Sequence, residues 1–206
     1  MLILAYDFET TGLPLFKEPS EDPRQPHIVQ VGAALVDTDQ DYRIVSSIDL
    51  IVRPTDWTIP SDVAAIHGIT TERAEQVGVL EELAMGALLS LWSRADIRMG
   101  HNEQFDARIA RIAIMRFYGD VTAEEWKAGS AICTAQLATP IVKAPPTAKM
   151  IAAGRHHHKT ASLSEAYQHF IGTPLENAHS AMADVLGCIE VYRRITAPIP
   201  QEAASV

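Results

Sequence analysis

Leu4-Ala5-Tyr6-Asp7-Phe8-Glu9-Thr10-Thr11-Gly12-Leu13 is the stretch on which the reading of this chain turns. The residues that lead into it, 1–6, form a short apolar run of the kind that makes a central strand. Asp7 and Glu9 stand two apart, and side chains two apart on a strand share a face. Two carboxylates on one face of a core strand repel each other and lose hydration. Something positive belongs beside them, and a hard divalent cation is the economical answer.

Outward from that strand, the bulk of the chain sets the frame. Its 206 residues suffice for one well-cored domain, read here as residues 1–196 with a short tail at 197–206. A hydrophobic fraction of 47% with 21% charged residues is that of an ordinary soluble globular protein. No apolar run approaches the roughly 18–20 residues that span a bilayer, so no membrane partner is expected. The N-terminal run lacks a basic flank and meets an acid at once, which suits a buried strand and not a signal peptide. Cys133 and Cys188 lie far apart and form no pair motif, so free thiols in a reducing cytoplasm are expected. The net charge of −9, from 17 basic and 26 acidic residues, argues against a duplex binder with a broad basic face. It leaves room for a cleft that grips a few nucleotides around bound cations, whose charge formal counting omits.

Along the chain, residues 14–27 hold Pro14, Pro19, Pro23 and Pro26 and read as a loop. Residues 27–37 and 43–52 read as a strand hairpin with a turn at 39–42. Residues 61–66 suggest a short helix capped by Ser61. Thr71 is the expected cap of the next helix, with 81–93 as its continuation beyond Gly78. Residues 96–101 read as a short strand and 103–118 as a helix, with Phe105, Ile109, Ile112, Ala113 and Phe117 at helical spacing. A last strand is expected at 131–134, followed by a short helix. Residues 140–159 read as loop, and 162–171 and 179–195 as closing helices. The tail from Pro198 is expected to fray. Strands followed by alternating helices and strands indicate an α/β or α+β sheet covered by helices.

Two further elements carry acids. Asp106 falls in the first turns of a helix that follows a strand, close to the sheet end where sites in such sheets gather. An acid there is also favoured simply by the helix dipole. His179 and Asp184 stand five apart. At roughly 100° per residue they diverge by about 140° and do not share a face if both are helical; with His179 just before or at the helix start, it can lean over the same cleft as Asp184. Asp184 sits among Ala181, Ala183, Val185 and Leu186, and a buried carboxylate needs a partner.

The ordered set Asp-Phe-Glu-Thr-Thr-Gly-Leu at 7–13, His-Asn-x-x-Phe-Asp at 101–106 and His-x4-Asp at 179–184 resembles the DEDDh 3′–5′ exonuclease family. Ile28-Val29-Gln30-Val31-Gly32 and His67-Gly68-Ile69-Thr70 support the match, which runs from about residue 2 to residue 195. Pro145-Pro146-Thr147-Ala148-Lys149-Met150 and Ser162-Leu163-Ser164-Glu165-Ala166-Tyr167 look similar to members found in bacteriophages and prophages.

The resemblance implies a ribonuclease H-like fold, a five-stranded mixed sheet with helices on both faces, whose acids meet at one sheet end. It implies two divalent cations, Mg²⁺ or Mn²⁺, held by Asp7, Glu9, Asp106 and Asp184, with Asp7 bridging and oxygen-only ligands disfavouring Zn²⁺. His179 would be the general base. The implied substrate is a single-stranded nucleic acid 3′ end, DNA ahead of RNA, releasing nucleoside 5′-monophosphates. Thr10, Thr11 and Leu13 would pack the terminal sugar and base, Asn102 would bond the strand, and Phe105 would stack a base. Each has a plainer role open to it: turn residues, a helix N-cap, and a core aromatic. His67 reads as structural. The run His156-His157-His158 reads as a solvated loop that, with Lys143, Lys149, Arg155 and Lys159, offers the best phosphate-facing patch. A polymerase partner would need a docking extension, and residues 197–206 show no such motif; oligomeric state is left open.

Three rival readings remain on the residues alone. A haloacid-dehalogenase-type phosphotransferase also begins with acids two apart, but it favours a second aspartate where Glu9 stands. A catalytically silent module that binds nucleic-acid ends gets little help from a chain that keeps Asp7, Glu9, Asp106, His179 and Asp184, and no motif separates an RNA-directed exoribonuclease from a DNA-directed one.

Overall fold

The structure, a computed structural model, describes residues 1–197. Strand β1 (Leu2–Thr10) is the centre of a five-stranded sheet ordered β3-β2-β1-β4-β5. β2 (Ile28–Asp37) and β3 (Arg43–Ile51) form the antiparallel half, whereas β4 (Ile97–Gly100) and β5 (Ala131–Cys133) run parallel to β1. Alternation along β1 sorts its side chains to two cores. Leu4, Tyr6 and Phe8 enter one core, beneath α3 (Glu81–Trp92), α4 (Glu103–Phe117) and α5 (Gly119–Ala128). Ile3 and Ala5 enter the other, beneath α6 (Thr134–Val142), α8 (Leu163–Ile171) and α9 (Ala181–Thr196). Helices therefore cover both faces, and Asp7 and Glu9 continue the Ile3–Ala5 row toward α9. Among the described residues no helix is long and apolar enough to cross a membrane.

Local chemistry explains where the elements differ from the sequence reading. Ser61 is not a cap: α1 (Ser61–His67) starts behind Pro60 with no side-chain bond. Thr70, not Thr71, caps α2 (Thr71–Val77), accepting from Arg73 N–H at 3.2 Å. Thr71 instead accepts from Ile59 N–H at 3.0 Å, which ties α2 back to the preceding loop. α3 does not continue α2, because Val79 leaves the helix to bridge to Val52. α5 was not expected. Its first residue, Gly119, has φ +83°, a break after α4 that leaves few apolar residues to mark the new helix, although Trp126 in it is fully buried. α6 carries Pro140 in its last turn, and α7 (Ala148–Ala152) interrupts the loop expected at 140–159. Ser162 caps α8 in a reciprocal capping box with Glu165. α9 starts at Ala181 and not at 179 as the pattern suggests, because His179 at φ +69° breaks the backbone ahead of it. The expected fraying of the tail from Pro198 falls outside the described residues.

Candidate active site

The site is built where β1 ends. Asp7 pairs with Gly32 and Glu9 with Gln30 on the antiparallel neighbour β2. Both partners serve α9. A side-chain carbon on Gly32 would come within 2.5 Å of the Ala181 carbonyl carbon, so only glycine lets the start of α9 lie against the strand. Gln30 Oε1 accepts from Ala181 N–H at 3.1 Å, satisfying one of the helix's open donors, while its Nε2 donates to Asp49 at 2.7 Å. Thus held, α9 presents Asp184, and the turn before it presents His179. Ligand atoms of Glu9, His179 and Asp184 all lie within 4.8 Å of one another.

Asp106 reaches the same edge from the opposite core. It is 3% exposed and accepts from Phe8 N–H at 3.2 Å, which places its carboxyl beside the Asp7–Glu9 strand. His101 fixes the neighbouring edge: Nδ1 meets Thr134 Oγ1 at 2.9 Å and Nε2 meets the Ala161 carbonyl at 2.9 Å. His179 has φ +69° and Asn177 φ +53°, a left-handed backbone unusual for residues with side chains.

The four carboxyl groups disfavour each other's charge. Burial first, then Asp106, Asp184 and Glu9, holds the Asp7 carboxyl well above the carboxylate range. Burial and Asp184 push Glu9 up to about 8. Burial raises Asp106 against the opposing Phe8 N–H, and raises Asp184 against the backbone N–H and ring of His179. Asp184 Oδ1 is buried with no hydrogen-bond partner. A buried, unpartnered oxygen among four crowded carboxyl groups fits a hard cation, and the oxygen-rich donor set fits Mg²⁺ or Mn²⁺. Cys188, fully buried behind the site, is pushed up to about 12 by burial and stays a neutral thiol; Cys133 is half-buried and also free.

The expected substrate contacts divide. Thr10 and Thr11 build the turn after β1: Thr10 Oγ1 donates to the Gly12 carbonyl at 2.8 Å, and Thr11 Oγ1 accepts from His27 N–H at 3.0 Å. Leu13, which follows that turn, is 74% exposed. Asn102 occupies the N-cap position of α4 with φ +65° but makes no cap bond, so its side chain is exposed and uncommitted. Phe105 is half-buried against the first core, the plainer of its two roles. His67 bonds Ile69 N–H at 3.1 Å and closes α1. His156, His157 and His158 are exposed. Two features escaped the sequence. Gln30 and Gly32 were visible only as part of a matching motif, with no hint that they seat α9. Gln25, 2% exposed, bonds Leu15 N–H at 3.0 Å and the Pro19 carbonyl at 2.9 Å, which stiffens the proline-rich loop below Leu13; a lone Gln in such a loop gives no signal.

A model of the exonuclease family of the RNase T type matches residues 4–192. The chain belongs to the DEDDh-type 3′–5′ exonuclease family. Its fold is that of solved E. coli Exonuclease I structures. One, in complex with a dT13 oligonucleotide, superposes with a TM-score of 0.69 at 20% identity over 93% of this chain and 40% of that one. A second, described as suggesting how processivity is achieved, gives 0.70 at 20% identity over 94% and 40%. A zinc-bound complex with single-stranded DNA gives 0.69 at 19% identity over 94% and 40%. The chain thus spans about two fifths of the length of these Exonuclease I chains. No curated protein matches it. Likeness at this identity shows the ribonuclease H-like fold.

Proposed function

We propose that the chain is a metal-dependent 3′–5′ exonuclease that removes nucleoside 5′-monophosphates from single-stranded nucleic acid, DNA ahead of RNA. The observation that carries this reading is the convergence of Glu9, His179 and Asp184 within 4.8 Å at the strand end where Asp7 and Asp106 also lie. Asp7, Glu9, Asp106 and Asp184 would hold two divalent cations, Mg²⁺ or Mn²⁺. When bound, such ions neutralise charge at the scissile phosphate and acidify water. The chain's own residues do the rest. His179 accepts the proton of the attacking water, from a turn outside α9 that lets its ring approach without unwinding the helix. Leu13 packs against the terminal base, the Thr10–Thr11 turn holds Leu13 in place, and Asn102 offers a free amide to the sugar-phosphate chain. DNA is placed first because the Exonuclease I structures are complexes with dT13 and dA16 oligonucleotides. Reading residues 1–196 as one domain is supported by the site itself, which draws on both β1 and α9.

The test is digestion of end-labelled single-stranded DNA and RNA of one sequence with Mg²⁺, Mn²⁺ or EDTA. Stepwise shortening from the 3′ end is expected, abolished by EDTA and by Asp7→Ala. Undiminished cutting in EDTA refutes the metal mechanism. Binding of 3′ ends without mononucleotide release would mark a silent end-binding module.

A further inference from the structure

Residues 126–164 contain no Asp or Glu, in a chain with 26 acidic residues and a net charge of −9. The same stretch carries Lys127, Lys143, Lys149, Arg155 and Lys159, with His156, His157 and His158. All but Lys127 cluster on one excursion of the backbone. Its neck is closed by Lys159 N–H donating to the Ala144 carbonyl at 3.1 Å. Between these points, residues 145–158 include no buried side chain, while Ala144 and Ala161 on either side are buried. The excursion therefore stands off the body as an arm. Thr147 caps its short helix α7, accepting from Met150 N–H at 3.2 Å, and Gly154 at φ +70° ends that helix and sends Arg155 outward. Arg155 N–H bonds back to the Met150 carbonyl at 2.8 Å, so the turn is ordered.

From the neck, beyond the far end of α6, the chain returns at Ala161 to the edge that bears the acids. Ala161, two residues beyond Lys159, accepts from the His101 ring at 2.9 Å, and its N–H donates to Thr139 Oγ1 at 3.1 Å. His101 directly follows the C-terminal end of β4 and directly precedes Asn102 and the helix of Asp106. Lys159 is tied to Glu165 at 2.5 Å and props the neck. Lys143, Lys149 and Arg155 are exposed and form no ion pair among the described residues. Three unpaired cations on a carboxylate-free arm, in an otherwise acidic molecule, have one natural counterpart on the substrate side of this edge: a file of phosphates.

We propose that residues 143–159 form a phosphate-tracking arm that holds the substrate strand upstream of its 3′ end, with Lys143, Lys149 and Arg155 as the contacts. The proposal rests on the reading of the chain as a single-strand exonuclease. It assigns the strand a direction, from the acids across His101 toward β5. It also explains how an acidic protein holds a polyanion without a broad basic face.

The experiment compares the wild type with the triple variant Lys143→Gln, Lys149→Gln, Arg155→Gln, whose positions are all exposed. Fluorescein-labelled single-stranded 20-mer and trimer DNA are bound in EDTA and followed by anisotropy across a salt series. Each cation on a single strand contributes about 0.7 to the slope of log affinity against log salt, so the variant should lose about 2 from the 20-mer slope. Its 20-mer affinity at low salt should fall at least about tenfold, whereas trimer affinity should shift less than about twofold, each charge contributing only through the phosphates it meets. Digestion with Mn²⁺ run in parallel should show the variant releasing fewer nucleotides per encounter on long strands. Equal 20-mer affinity and slope in both proteins overturns the arm, as does an equal loss on trimer and 20-mer. If the wild type still digests 3′ ends, that failure leaves the exonuclease reading intact. A wild type that neither binds nor digests either strand overturns both together.

Discussion

Glu9 keeps its proton to about pH 8, because burial and the charge of Asp184 both oppose its ionisation. In the unfolded chain a glutamate ionises near 4.5. Between those values the folded state binds the extra proton, so the stability it confers is lost as pH rises from about 4.5 through 8. Asp7, Asp106 and Asp184 are raised in the same direction and steepen the loss. In EDTA we therefore expect the melting temperature to fall between pH 5 and pH 8, with Mn²⁺ restoring more at pH 8 than at pH 5. A calorimetric series with a flat or rising EDTA profile would contradict this. His179 is the other residue-scale test. As general base it should contribute about 10²–10⁴-fold to kcat. His179→Ala should lose that rate while Mn²⁺ still raises the melting temperature. An unchanged kcat would strip it of the role.

At the scale of elements, the start of α9 is the joint on which the site depends. Gly32→Ala drives a carbon into the Ala181 backbone, where no flexible side chain can yield. We expect a loss of about 1–3 kcal/mol in denaturant unfolding, with activity falling by more than that loss accounts for as Asp184 is pushed aside. Gln30→Ala removes the acceptor of Ala181 N–H and should cost about 1 kcal/mol. A Gly32→Ala enzyme with wild-type stability and rate would show that the helix can shift harmlessly. The same joint shows what was legible beforehand. Periodicity in β1, α4 and α8 and the spacing of the acids gave the strand, the helices and the ligand types, because those signals are local. The angle to Asp184 asks for His179 before or at the helix start, whereas the helix read from the pattern begins at 179; α9 begins at Ala181 and leaves His179 outside. The seating of α9 by Gly32 and Gln30 was hidden, since a strand glycine and a strand glutamine show no long-range partner in their own neighbourhood. α5 was hidden because its buried face reduces largely to Ala123 and Trp126.

Across the whole molecule, the parallel half of the sheet is locked to its helices by one buried cation. Arg98, 3% exposed, donates to the carbonyls of Trp126 and, at 3.1 Å, Gly129. It lies 3.5 Å from Glu103, which accepts from Tyr6 hydroxyl at 2.7 Å, and 4.2 Å from the Trp126 ring centre. β4, α4, α5 and β1 thus meet at one guanidinium. Removing one partner of a buried pair costs about 3–5 kcal/mol. In a domain of this size that lowers the melting temperature by roughly 6–20 °C. Arg98→Met should do so by calorimetry; a drop of under about 2 °C, far below that range, would mean the network is incidental.

Asp7 and Glu9 leave the ribosome about 170 residues ahead of His179 and Asp184. A nascent chain can pair β1 with β2 long before the helix that rests on Gly32 has been made. Until then two acids of the set face an open groove, lacking both their last partner and the imidazole. The complete set of side chains therefore cannot assemble before the first turn of α9 has been made.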